Sequence, residues 1–468
     1  MELPIAFRER MERLLGAEYE AFLHALMEES EVKGLRVNEN KISAECFEAN
    51  APFLMEKIPY VKGGYVVSKE AGAGKHPYHH AGAYYMQDPG AMATVAALPR
   101  VLMEREGLRI LDLCAAPGGK TTQLAAACAE KGGVVLANEY VASRARILAG
   151  NVERMGLANV CVTNVDTKWI GEWYPSFFDL VVVDAPCSGE GMFRKNVPAI
   201  EEWSLENVEM CAKRQKEILE NGARTVAGGG YLLYSTCTYS TEENEEVVLD
   251  FLRRHKDFSI VPCSDELLPF TADGIDINEN KNCSISKCRR FYPHRAAGEG
   301  QFIALLRRDE DATCERDVCV DARRLPDKKD AAVVEAFLEE TLGRRMDGLC
   351  LIGGMISIFP GEGAKRFPLP PFGTVAVGCA LGEVRKGRLL PHHHFFSAFG
   401  TELLSRVRLH PDEEHVGRYL LGEEISVEDA RGYTAVLLSV GNEEIALGGG
   451  KASDNRLKNY YPKGLRTK

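Results

Sequence analysis

A chain of 468 residues is longer than one hydrophobic core usually serves, which predicts two to four domains. Its 57 Lys plus Arg against 68 Asp plus Glu give a net charge of -11, which excludes a wholly basic nucleic-acid wrapper while leaving room for local basic patches. No apolar run reaches about 18 residues and the start has no signal-peptide core, which predicts a soluble, cytoplasmic protein without a membrane partner; the 14 scattered cysteines read as reduced thiols.

Residues 5–28 carry apolar positions at helical spacing (Phe7, Met11, Leu14, Leu15, Phe22, Leu23, Leu26, Met27), predicting one amphipathic helix that acts as packing surface. From about 30 to 100, β-like stretches such as GGYVVS alternate with Gly, Pro and His, and AGAYYMQDPGAMATVAAL reads as a strand or turn followed by a helix. Residues 1–100 are thus expected to form a lead-in domain.

Between 101 and 308 the pattern becomes regular. LRILDLC, GGVVLANE, NVCVTNVD, FDLVVVDAP and GGYLLYSTC are apolar runs of strand length separated by helical stretches, predicting βαβ units on a doubly wound, mostly parallel α/β sheet. Residues 309–325 turn charged and read as a linker, so 309–390 is expected to hold that linker and a small α+β domain. Residues 391–468, with YTAVLLSV and EEIALGG, read as a small β domain. His392, His393 and His394 sit near that last boundary and are expected in a loop.

The loop LDLCAAPGGKTT, residues 111–122, joins a buried strand to a helix through Gly118 and Gly119, where backbone amides can hold a cofactor carboxylate or phosphate. A P-loop fits Gly119, Lys120 and Thr121 but needs glycine where Cys114 stands, and Pro117 stiffens the loop. The acid ending VVVD, Asp184, resembles a magnesium-holding strand in such enzymes. Against this, Glu139 lies about 20 residues past the glycines, where an acid accepts hydrogen bonds from a ribose. Asp166 ends the next strand, placed to meet an adenine amino group, and Asp184 ends the fourth. Carboxylates at strand ends also cap helices and solvate turns.

Two cysteines face the same crevice: Cys187 in DAPCSGEGMFRK and Cys237 in YSTCTYS both follow strands at their carboxyl ends. A lone cysteine in such a protein is usually a small buried hydrophobe, but Pro186 beside one and Thr236 beside the other set this pair apart.

Together CAAPGGK, NE, VD, DAPCSGEG and YSTCTYSTEENEEVV resemble, in order and spacing, the Nol/Nop/Sun family of S-adenosylmethionine-dependent RNA cytosine-5 methyltransferases. RRFYPHRAAGEGQFIALL, residues 289–306, resembles the family's closing strand, with Gln301 where an aromatic is common. The resemblance implies a Rossmann-like methyltransferase fold and S-adenosyl-L-methionine as cofactor. It implies cofactor-binding positions at Cys114, Ala115, Ala116, Pro117, Gly118, Gly119, Lys120, Glu139, Asp166 and Asp184. It also implies Cys237 as nucleophile and Cys187 as the thiol that assists adduct release. Carbon 5 of cytosine is too poor a nucleophile to attack a sulfonium methyl, so a thiolate must first add to carbon 6. Such a thiol needs a setting that favours its ionised form, for which Lys120, Arg194 and Lys195 are candidates. The target nucleotide must be unpaired or flipped out. Asp184 would hold the base edge and the cofactor side at once.

QDPGAMATVAAL and the finish LKNYYPKGLR are similar to the RsmF group of that family, whose last domain is a PUA-type RNA-binding domain. The tail's Lys451, Arg456, Lys458, Lys463, Arg466 and Lys468, interleaved with Tyr460 and Tyr461, suggest phosphate contacts. The implied substrate is cytosine in 16S ribosomal RNA, or the small ribosomal subunit, with transfer RNA second. A P-loop NTPase and a non-catalytic ribosome assembly factor remain as readings from other classes. No obligatory protein partner and no metal are predicted: Cys283 with Cys288 and Cys314 with Cys319 form Cys-x4-Cys pairs only at the outer edge of zinc spacing. His76, His79 and His80 are read as shaping an RNA path.

Overall fold

The N-terminal periodicity folds as two helices, Ile5–Leu15 and Tyr19–Met27, joined by the 3-10 turn Gly16–Glu18. The expected single helix is broken at Gly16, whose φ of 52° ends the first helix in a conformation that side chains disfavour. Phe7, Met11, Phe22 and Leu26 then pack against Phe193, Trp203, Tyr239 and Tyr292, so this surface braces the cysteine loops. The computed structural model describes residues 3–27, 33–195, 197–277, 284–312 and 321–467. Among them no helix is long and apolar enough to cross a membrane.

A four-stranded antiparallel sheet follows, in the order Met55–Lys57, Gly64–Val67, Lys33–Val37, Tyr84–Met86. The catalytic region is built on strands β1 Arg109–Asp112, β2 Val134–Asn138, β3 Val160–Thr163, β4 Phe178–Asp184 and β5 Val226–Thr236. To these are added β6 Phe258–Ile260, β7 Ala272–Asp273, β8 Arg289–Phe291, β9 Gln301–Arg308 and β10 Thr374–Val377. The lateral order is β7-β8-β9-β5-β4-β1-β2-β3-β10, with β6 also paired to β9. The ladder from β3 to β5 is parallel, whereas β9 and β10 join it antiparallel, so the sheet is mixed.

Both faces of this sheet are covered, which is why its strands read as continuous apolar runs. The two-residue period divides them: Leu111, Leu136, Val181, Val183 and Leu232 enter one core, and Ile110, Val135, Val182 and Leu233 the other. The chain runs outward from β1 to β3 and returns to β4 on the other side of β1. The loops after β1 and β4 therefore flank the topological switch point, where open α/β sheets take their ligands.

The segment 309–390 divides its loyalties. The helix Lys328–Leu342 and a four-stranded antiparallel sheet form a separate layer, but β10 extends the catalytic sheet, and Phe359, Phe367 and Leu369 enter its core. Three of the four zinc-pair cysteines, Cys283, Cys314 and Cys319, lie outside the described residues; Cys288 is buried in the catalytic core.

The histidine trio is not a loop: His392 caps the helix His393–Phe399, and both His393 and His394 are buried, which pushes each imidazole down to about 3. Residues 406–459 form a five-stranded sheet whose core is shared with the N-terminal sheet, Leu35, Phe47 and Tyr84 meeting Tyr419, Leu438 and Tyr461. His80 Nδ1 lies 3.0 Å from Tyr461 Oη and the His79 carbonyl accepts from Arg154, so these histidines belong to a junction between domains rather than to an open RNA path. Tyr461 is accordingly core, while Tyr460 is half-buried; Lys468 lies outside the described residues. Lys41 Nζ ties the same junction, donating to the carbonyls of Ala81 (2.7 Å), Arg154 (3.4 Å) and Ala446 (3.4 Å).

Candidate active site

A cavity of about 280 Å3 opens at the switch point. Its walls are the β1 loop (Asp112, Cys114 to Pro117, Gly119, Lys120), Asp184 and Cys237 from the ends of β4 and β5, Glu299 to Gln301 before β9, and Tyr85 to Asp88 of the N-terminal sheet. Arg36 clamps that sheet onto the helix Gly119–Ala129, reaching Gln87 Oε1 at 3.2 Å and Thr122 Oγ1 at 2.9 Å. The N-terminal region is thus part of the site, not a tethered appendage.

Of the positions expected to hold cofactor, the structure gathers Cys114, Ala115, Ala116, Pro117, Gly119, Lys120 and Asp184 on this cavity. Gly118 is the residue before the helix, in left-handed conformation. Glu139 lies apart from the cavity walls, buried, with Oε1 accepting from the Val141 amide at 2.8 Å and Oε2 3.7 Å from Arg144. Asp166 is exposed and caps the helix Thr167–Trp173 through the Lys168 amide at 2.9 Å. Cys187 does not line the cavity but stands behind Cys237, its Sγ 3.3 Å from the Cys237 Sγ.

Sequence reasoning missed Asp112. It ends β1 fully buried, accepts from Thr121 Oγ1 at 2.6 Å, and burial raises its carboxyl to about 7. Its other oxygen, Oδ1, and Glu299 Oε2 are buried without hydrogen-bond partners. Two unpartnered carboxylate oxygens beside one cavity call for a cationic donor, the character of an ammonium next to a sulfonium. An acid inside the otherwise apolar run LRILDLC was the available signal.

The cations expected to favour a thiolate are spent elsewhere. Lys120 Nζ pairs with Asp184 at 2.9 Å, Arg194 with Glu299 at 3.0 Å, and Lys195 with Asp88 at 2.9 Å. Asp184 is further held by Ser235 Oγ at 2.7 Å and by Gln301 Nε2 at 3.4 Å, so Gln301 contributes an amide where the family commonly has a ring. What surrounds the thiols is a second buried network, also missed, drawn from TEENEE and the Pro-Cys loop. Glu243 accepts from the Ser188 amide at 2.9 Å and Gln215 Nε2 at 2.8 Å, and burial raises it to about 7. Glu190 accepts from Thr238 Oγ1 at 2.8 Å and Trp203 Nε1 at 3.0 Å.

The Cys187 thiol is pushed well above the ordinary thiol range, first by its hydrogen bond with Cys237 and then by burial. The pair is therefore arranged to keep a proton on Cys187. Gly191 sets the approach of the two loops: a Cβ there would lie 2.8 Å from the Cys237 carbonyl oxygen and 2.9 Å from the Gly300 nitrogen.

Residues 99–307 match the family described as 16S rRNA methyltransferase RsmB/F. Residues 3–89 match the N-terminal domain of 16S rRNA methyltransferase RsmF, and residues 406–467 the methyltransferase RsmF PUA domain. Among solved structures, a methyltransferase homologue from Pyrococcus horikoshii is 28% identical with a TM-score of 0.54, over 65% of this chain and 94% of that one. Fold and site thus define a Rossmann-like methyltransferase that uses S-adenosylmethionine, which removes the P-loop reading.

Proteins called ribosomal RNA small subunit methyltransferase F are similar over nearly the whole length. That of Vibrio vulnificus is 31% identical across 92% of this chain and 91% of its own, and that of Psychromonas ingrahamii 29% across 99% and 97%. The chain belongs to the RsmF group of the Nol/Nop/Sun family.

Proposed function

We propose that this protein methylates carbon 5 of cytosine in small-subunit ribosomal RNA through a covalent cysteine–cytosine adduct. The observation that carries the reading is the 3.3 Å contact between Cys187 and Cys237 beside the cavity that Asp112, the β1 loop and Asp184 enclose. Ribosomal RNA as substrate is supported by the names of the relatives that match across the chain.

S-adenosylmethionine, when bound, supplies an electrophilic methyl group. Asp112 and Glu299, with unpartnered oxygens, would take its cationic groups, and the β1 loop residues 114–120 would hold it against Asp184. Glu139 and Asp166 are proposed for ribose and adenine. The Cys237 thiolate adds to carbon 6 of a flipped-out cytosine, forming the C–S bond and moving an electron pair onto carbon 5. Cys187 donates its S–H toward Cys237 Sγ and so favours the thiolate. Once carbon 5 carries the methyl group, its proton passes to solvent, the C5–H electron pair reforms the C5–C6 double bond, and the C6–S bond breaks to release the Cys237 thiolate, to which the Cys187 S–H donates. Asp184, paired with Lys120 at 2.9 Å, positions the base edge. Residues 1–100 and 391–468 are proposed to supply RNA contacts around this centre.

The test is methyl transfer from labelled S-adenosylmethionine to small-subunit particles, naked ribosomal RNA and transfer RNA, with nucleoside analysis. 5-Methylcytidine in ribosomal RNA is the expected product. Label in transfer RNA alone moves the substrate, and label nowhere with cofactor bound points to a non-catalytic assembly role.

A further inference from the structure

Behind the two thiols, the Pro-Cys and Thr-Cys loops hold each other by the residues that follow their cysteines. Glu190, on the Pro-Cys loop, accepts from Thr238 Oγ1 at 2.8 Å and from the Tyr239 amide at 2.9 Å, which fixes the chain just after Cys237. Glu243, beyond the Thr-Cys loop, accepts from the Ser188 amide at 2.9 Å and bonds to Ser188 Oγ, which fixes the chain just after Cys187. Ser188 Oγ and Thr238 Oγ1 meet at 2.9 Å between the loops, and all four side chains are buried.

These oxygens form one chain: Glu243 Oε1, Ser188 Oγ, Thr238 Oγ1 and Glu190 Oε2, with three contacts along it. The two hydroxyls bring two protons and a carboxylate brings none, whereas three hydrogen bonds need three. Two oxygens held 2.9 Å apart with no proton between them repel, so one of the two glutamates carries the missing proton.

The N–H donors decide which. Glu190 Oε1 meets Trp203 Nε1 at 3.0 Å and its Oε2 meets the Tyr239 amide. Glu243 Oε2 meets the Ser188 amide and Gln215 Nε2, the latter oriented by its bond to the Pro186 carbonyl at 3.0 Å. Among the described residues, Glu243 Oε1 alone of the four carboxylate oxygens meets no N–H donor. The surrounding charge agrees. Glu243 faces Glu190, Cys187, Cys211 of the helix Leu205–Ala223 and Tyr234 of β5, with no cation among them, whereas Glu190 faces Arg10 of the first helix.

We infer that Glu243 is a carboxylic acid in the working enzyme and a positioning residue. Its Oε1–H donates to Ser188 Oγ, Ser188 donates to Thr238 Oγ1, and Thr238 donates to the Glu190 carboxylate, a one-way chain that fixes Cys187 and Cys237 at their 3.3 Å separation. Ionising Glu243 would set the two hydroxyl oxygens against each other and place a negative charge beside the thiols, where it opposes the Cys237 thiolate. The inference rests on the two thiols acting together in methyl transfer and adds what holds them in place.

The experiment compares the wild type with Glu243→Gln, Glu243→Ala and Glu190→Gln. A glutamine at 243 offers an N–H where the acid has its O–H, and keeps an oxygen for both N–H donors. At 190 the same change turns an amide N–H onto the Trp203 or Tyr239 donor. Difference infrared spectroscopy of the free enzymes at about pH 6 should show a carboxylic-acid carbonyl band in the wild type that Glu243→Gln lacks. Single-turnover methyl transfer to RNA at saturating S-adenosylmethionine should slow about 10²-fold in Glu243→Ala and Glu190→Gln, with most of the alanine loss recovered in Glu243→Gln. With Glu243 titrating at about 7, about nine-tenths of it is ionised at pH 8, so from pH 6 to pH 8 the wild-type rate should fall about tenfold relative to Glu243→Gln. Thermal unfolding, followed in parallel, separates lost positioning from lost fold. An identical band in Glu243→Gln, a glutamine variant as slow as the alanine one, or an alkaline fall retained in Glu243→Gln overturns the inference. Because the band is read without RNA or cofactor, it decides the proton whatever reaction the site performs.

Discussion

Replacing Cys187 with alanine separates making the adduct from resolving it. The change deletes the sulfur 3.3 Å from Cys237 Sγ at a half-buried position, a loss comparable to one buried methylene, so the fold should give up only about 1 kcal/mol. The chemistry loses far more. Removing a positioned proton-transfer group costs about 10²–10⁴-fold, or about 3–5 kcal/mol of barrier. The loss falls after methyl transfer, on departure of the carbon 5 proton and the Cys237 thiolate. The variant should therefore complete about one turnover per site and stop, with enzyme, RNA and labelled methyl migrating together on a denaturing gel. Cys237→Ala and the double variant should show no such band and no product. A band in Cys237→Ala, or normal multiple turnover in Cys187→Ala, would refute the assigned roles.

Asp112, raised to about 7 by burial, must be ionised to hold a cofactor ammonium, so affinity should rise with pH through that value. Between pH 8 and pH 6 calorimetry should find about a tenfold weakening, since about nine-tenths of the carboxyl is protonated at the lower pH, and Asp112→Asn should flatten the profile; an unchanged profile argues against this role. Arg290→Met leaves the fully buried Glu245 carboxylate without its partner behind the Thr-Cys loop, and denaturant titration should show a loss of about 3–5 kcal/mol, much of it restored by adding Glu245→Gln. Gly191→Ala forces a Cβ against the Cys237 carbonyl and the Gly300 backbone; a displacement on the order of 1 Å should lower kcat about 10²-fold, and wild-type kcat would show that the loops tolerate separation. Asp166→Ser keeps a helix cap while withdrawing the carboxylate, so stability should hold within about 0.5 kcal/mol while the cofactor Kd rises about fivefold; an unchanged Kd would reduce Asp166 to a cap.

The catalytic sheet was legible because its strands are buried on both faces, and such strands announce themselves as unbroken apolar runs. β1 to β5 fall where LRILDLC, GGVVLANE, NVCVTNVD, FDLVVVDAP and GGYLLYSTC predict them, and β9 where the resemblance to the family's closing strand implied one. β10 was not legible: TVAV pairs with β3 from a distant segment, a tertiary choice that no local pattern carries. Helical spacing from Phe7 to Met27 concealed the break at Gly16, since the apolar stripe resumes on the same packing surface after the turn. The histidine trio misled because polar aromatic residues near a boundary suggest solvent, whereas His393 and His394 are buried at a domain junction. Within the site, the two cysteines and the β1 loop stood out by spacing. The pairing of Lys120, Arg194 and Lys195 with carboxylates did not, because it depends on which loops meet. Asp112 and Glu243 share that difficulty: their importance comes from burial, which composition does not display.

The core shared by Leu35, Phe47 and Tyr84 with Tyr419, Leu438 and Tyr461 sets the order in which the molecule can be finished during synthesis. Residues 35–84 are made with half of that core and stay uncovered until residues 409–461 have been made and join them. The central methyltransferase sheet is made in between and can close earlier, apart from the edge where β10 arrives. A chain cut short near residue 400 would therefore fail at its beginning as well as its end, uncovering the sheet that walls the catalytic cavity.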